Sequence, residues 1–123
     1  MSDIDTAFAN LELFGEKIVR GTLLGMTSKI ITRSPVDTGR FRNNWIPSFD
    51  APASGTASNA NGNPVSNTAQ AINKWQVGQT FYLTNNLPYS VRLEFGHSPQ
   101  APNGMLRLTL AEYETEMKKA AKL

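Results

Sequence analysis

Cysteine is absent from this chain of 123 residues, which excludes disulfides, thiolate catalysis and cysteine-ligated zinc. Histidine occurs once, at His97. A zinc centre takes three or four ligands, so His97 reads as a turn residue, and no metal or cofactor is expected. Charged residues make up 18% against a usual ~25%. Part of the surface is therefore neutral polar or covered by a partner. No apolar run is long enough to span a bilayer. The N-terminal stretch carries Asp3 and Asp5 and lacks the basic and apolar regions of a signal peptide. Phosphate loops of the GxGxxG and GxxxxGK(S/T) types are missing too. A formal charge of +2 does not by itself indicate nucleic-acid binding, which concentrates Lys and Arg on one face.

The length fits one domain, residues 1–123, with a single modest core. Residues 3–32 read as a long helix, because Ile4, Phe8, Leu11, Gly15, Ile18, Thr22 and Met26 recur in steps of three or four. Gly21 and Gly25 share a face, read either as local tolerance or as the approach of another backbone. Pro35 stops the helix, and Asp37 is placed to close an Asx-type turn at Gly39 and Arg40. Residues 44–49 predict a strand, with Pro47 at a sheet edge or on a bulge. Residues 50–68 are rich in Pro, Gly, Ser, Ala and Asn and predict a long, flexible polar loop. Residues 69–76 form a short helix or lead into a strand at 77–84, with Val77, Phe81 and Leu83 on one side. Pro88 opens a short helix that Gly96 stops in a left-handed conformation. A closing helix over about 104–122 carries the stripe Leu106, Leu110, Tyr113, Met117 and Ala120, with a Glu114–Lys118 pair four apart. The fold class is α+β: a long N-terminal helix and a C-terminal helix on a small, mainly antiparallel sheet.

Two stretches stand out, SPVDTGRFRNNW at 34–45 and NNLPYSVRLEFGHS at 85–98. Neither has catalytic spacing. Asp37-Thr38-Gly39 has the letters of an aspartic-protease motif, but such chemistry needs two aspartates sharing a proton, and one copy followed by Arg40-Phe41-Arg42 reads as a structural turn. A lone Glu94 needs a partner to act as a base; an ion pair with Arg40 or Arg42 is the simpler expectation. Arg33, Arg40 and Arg42 near Trp45 form the densest basic and aromatic cluster. It suits a protein interface, where Arg and Trp are favoured anchors. The alternative is a small nucleic-acid-binding module that stacks bases on Trp45.

Taken in order, the two stretches resemble the bacteriophage neck and tail-completion proteins of long-tailed phages, the group that includes minor tail protein Z of lambdoid phages. In that family a P-V-D-T-G-x-hydrophobic-R motif precedes a strand, and N-x-x-P-Y-S/A-x-x-hydrophobic-E-F/Y-G precedes a proline-containing turn and a closing helix. The matching residues are Pro35, Val36, Asp37, Thr38, Gly39, Phe41 and Arg42, then Asn85, Pro88, Tyr89, Ser90, Glu94, Phe95, Gly96 and Pro102. The 50–68 insert is not diagnostic. The resemblance implies a non-enzymatic virion protein, made in the bacterial host cytoplasm, at the joint between head and tail. It implies a ring, a hexamer as first expectation and a dodecamer as the portal-matched alternative. Its partners would be copies of itself, connector or head-completion proteins, and tail terminator or tube proteins, with passive contact to DNA in the channel and no membrane. Asp37, Gly39, Arg40, Arg42, Trp45, Tyr89, Glu94 and Gly96 become the structural and interface candidates.

Overall fold

Asp3–Thr32 form one helix, α1, with Asp3 and Asp5 in its first turn and Lys29 in its last, the charge order that complements the helix dipole. Its C-terminal end is closed by Ser34, whose amide donates to Ile31 O and whose hydroxyl donates to Ile30 O at 2.8 Å, with Pro35 next. The computed structural model describes residues 3–36, 39–57, 62–96, 100–101 and 103–122. Asp37, Thr38, His97 and Pro102 lie outside them, so the Asx turn expected at Asp37 and the turn assigned to His97 do too.

After α1 come α2 (Arg40–Asn43), β1 (Ile46–Phe49), α3 (Pro64–Asn73), β2 (Phe81–Thr84), α4 (Ser90–Glu94), α5 (Leu106–Leu110) and α6 (Tyr113–Ala121). The fold is α+β, as expected. β1 and β2 pair antiparallel from Ile46↔Thr84 to Phe49↔Phe81. In a two-stranded ribbon both strands are edges, which is where Pro47 is tolerated. β2 is shorter than the strand expected at 77–84. Val77 and Gly78 form a turn, Gly78 having φ 97°, and Val77 is exposed.

The polar segment is not one loop. Asn63 caps α3 by accepting the Ser66 amide at 3.1 Å, and Pro64 occupies the first turn, where its missing N–H costs nothing. Residues 64–68 are therefore helical. Further back, the loop is fastened from outside. Asn44 and Ala57 exchange two hydrogen bonds of 2.9 and 2.7 Å, and Asn86 donates to Ala53 O and Gly55 O.

The closing helix is broken in two. Ala111 and Glu112 form a turn, the Glu112 amide donating to Thr109 O at 2.9 Å. Part of the expected apolar stripe turns outward, Leu110 being 62% exposed and Tyr113 50%, while Met117 and Ala120 stay half-buried, Ala120 against Gly21. Met105, Thr109 and Glu116 face inward instead, because ion pairs and glycine packing along α1 set the rotation of α6. The core gathers Ile30, Ile31, Phe41, Trp45, Leu87, Ala101 and Met105. α1 packs on α6, α3 and α5 only with its second half. The stripe expected to be buried along the whole helix is bare at Ile4, Phe8 and Leu11, each about two-thirds exposed.

Candidate assembly surfaces

The first motif block builds an elbow at the end of α1. Arg42 donates through Nη2 to Thr32 O at 2.7 Å and Ser34 O at 2.8 Å, satisfying carbonyls that a helix end leaves open. Burial lowers the Arg42 guanidinium from its usual value. Trp45 is buried; its Nε1–H donates to Ser34 Oγ at 2.8 Å and its ring meets Phe41 edge-on at 5.8 Å. Gly39 enters α2 with φ 74°, a left-handed conformation that favours glycine.

The second block locks onto this elbow. Asn85 donates through Nδ2 to Phe41 O at 2.9 Å, while its Oδ1 accepts from the Leu87 amide and from Ser90 Oγ. Tyr89 packs on Phe41 with ring centroids 5.9 Å apart. Gly96 ends the α4 turn at φ 85°, as expected.

Glu94 does not take Arg40 or Arg42 as its partner within the subunit. Its carboxylate accepts the amides of Met105 and Leu106 at 2.8 Å and of Arg107 at 3.0 Å, and pairs with Arg107 Nε at 3.0 Å. The physical reason is the open N-terminal turn of α5, which offers three amides to one anion. Burial works to raise the Glu94 carboxyl, but the three amides and the guanidinium outweigh it and leave it below the ordinary carboxylate range. Arg107 also lies over the Phe95 ring at 4.7 Å.

A charged seam holds α6 to α1. Lys29 pairs with Glu112 and with Glu116, the latter at 2.6 Å, and Arg33 reaches Glu112 at 2.6 Å and Thr109 Oγ1 at 3.0 Å. The bond from Lys29 lowers both carboxyls, with Arg33 adding to the effect on Glu112, and the two carboxylates raise the Lys29 ammonium. Below these pairs the helices come close. A Cβ at Gly21 would lie 2.7 Å from Ala120 Cβ, and one at Gly25 would strike the Glu116 carboxylate. The close approach of another backbone, read as one option, occurs at Gly21, whereas Gly25 makes room for the Glu116 side chain.

The basic and aromatic cluster stays together around Ser34, but Arg33, Arg42 and Trp45 are engaged within the fold, and Arg40 lies exposed at the start of α2. Arg33 belongs to the seam, Arg42 to the helix end and Trp45 to the core, where its ring faces are closed to a base. Two of the surfaces left uncovered are apolar. One is a cavity of about 300 Å³ lined by Phe41, Leu83, Val91, Phe95, Met105 and Leu106, with Glu94 in its wall. The other is the first half of α1. Sequence reasoning missed Arg107, Ser34 and the Lys29–Glu112–Glu116 group, and held Asn85 only as a motif match; for the group, only the Glu112/Glu116 spacing of four hinted at a shared helix face.

Among the described residues no group of three or more His, Asp or Glu is placed to hold a metal, and no helix is long and apolar enough to cross a membrane. No family model, no curated protein and no solved structure matches the chain.

Proposed function

We propose that this chain is a structural, non-catalytic component of a phage head–tail joint that assembles with copies of itself into a ring and docks to connector and tail proteins. One observation carries the reading: the two motif blocks, 40 residues and more apart in the chain, interlock around Phe41 through the Asn85 bond and the Tyr89 ring. The resemblance rests on those same blocks, and their contact makes them one unit of architecture. Arg42, Asn44, Asn85 and Ser90 bond to main-chain groups or to each other, and Glu94, which lines the apolar cavity, has its carboxylate taken up by the α5 amides and Arg107. The motif residues thus describe a frame, and a frame with bare apolar flanks fits assembly.

A phage lacking the gene tests the proposal directly. It should accumulate filled heads and finished tails that do not join, and purified protein added back should restore joining. Infectious, complete particles made without the protein would refute it. What weighs against the nucleic-acid alternative is Trp45, which is buried and so poorly placed to stack a base.

A further inference from the structure

We infer that the first half of α1 is a plug that seats in the apolar cavity of a second copy of this chain, joining subunits head to tail; the inference deepens the ring proposal and rests on it. Ile4, Phe8, Leu11, Phe14 and Ile18 lie in steps of three and four, so they share one face. The same steps lead on to Gly21, Gly25 and Lys29, the line that α6 covers. α6 runs antiparallel and ends at Ala121, beside Gly21. The stripe is thus the continuation of an internal helix–helix interface past the point where its partner stops. Ile4 and Phe8 are 67% exposed and Leu11 65%. Five such side chains offer on the order of 600 Å² of apolar surface, most of the roughly 800 Å² per partner of a stable interface.

Charge selects the occupant. Residues 3–16 carry Asp3, Asp5, Glu12 and Glu16 and no Lys or Arg. Two such stripes laid against each other would bring acids of both copies together, which is unfavourable. The cavity has the opposite character. Val91 and Phe95 at its edge are 67% and 61% exposed. Exposed Arg92 makes no ion pair among the described residues, while Arg107, which flanks Phe95, is already matched by Glu94. An acidic, apolar-faced helix and an apolar cavity edged by arginine are complementary and are not the same patch. Such an interface is heterologous, and repeated it closes into a ring or runs on as a filament.

The absence of cysteine makes the test clean. Leu11→Cys and Val91→Cys are made as separate proteins and treated with a short bismaleimide, singly and mixed. The mixture should give a cross-linked dimer, each single variant none, and the double variant a ladder of higher species. In parallel, Leu11→Glu and Phe95→Asp should each abolish self-association with helix content intact, and their equimolar mixture should stop at a dimer. Cross-linking of Leu11→Cys to itself as efficiently as to Val91→Cys overturns the proposal, as does a parent protein that stays monomeric at every attainable concentration. If rings persist in Leu11→Glu, the plug fails and the neck proposal stands. If Leu11→Glu dissolves rings, yet phage lacking the gene join normally, the plug stands and the neck proposal fails.

Discussion

Replacing Glu94 by Gln changes one atom and most of a helix start. The carboxamide oxygen can keep the Met105 and Leu106 amides now on Oε1. The amide nitrogen then confronts the Arg107 N–H and Nε–H that Oε2 accepts, both at 3.0 Å, so donors face donors. A hydrogen bond to a charged group contributes about 1.5–3 kcal/mol. Arg107 is 54% exposed, so water replaces part of its bond, and the wild-type carboxylate already bears a burial cost that the neutral amide avoids. The net loss is about 2 kcal/mol, or roughly 8 °C in Tm for a domain of this size. The sign of the pH dependence follows from the lowered native carboxyl. The stabilisation is full above the unfolded value near ~4.3 and fades as pH falls through the lower native value. Calorimetry of both proteins from neutral pH down to about pH 3 should show the gap narrowing on the acid side. A Gln variant that melts within 1 °C of the parent at neutral pH would refute the argument, and so would a gap that widens in acid.

Gly21→Ala should destabilise by about 1–3 kcal/mol in urea unfolding, since the new methyl meets Ala120 and outweighs a helix gain of about 1 kcal/mol; Gly15→Ala, with open space around it, should instead stabilise by roughly 0.5–1 kcal/mol. Ser34→Ala leaves the buried Trp45 N–H without its acceptor and should cost about 1–3 kcal/mol, with a shifted Trp absorption band. The α1–α6 seam should loosen below about pH 4.3, as Glu112 and Glu116 take up protons through their lowered native values; amide exchange in Tyr113–Ala121 should rise there before that of β1 and β2.

What was legible in the sequence was what local chemistry decides. The extent of α1, the Gly96 stop and the Glu114–Lys118 pair at 3.1 Å follow from periodicity, a backbone preference and a four-residue spacing. The Asn63-Pro64 cap was equally local, but the polar composition around it obscured it. Burial was not legible where it depends on length mismatch: α6 ends before α1 does, so half of a uniform apolar stripe is left bare. Trp45 reads the same as a surface anchor or a core ring until Ser34 is known to accept its proton. Glu94 found Arg107 because the start of α5 returns to it, and no spacing rule connects positions 94 and 107.

Asp50 and Thr80, thirty residues apart, close the end of the ribbon with two bonds, Asp50 itself having φ 65°. The strands they join cannot zip up from a tight connection. The connection between Phe49 and Phe81 runs through α3 and the Trp75 corner, where Arg20 donates to the Trp75 carbonyl. Pairing the ribbon therefore carries the closure entropy of a long intervening segment, an ordering cost that the local turns of α1 do not bear.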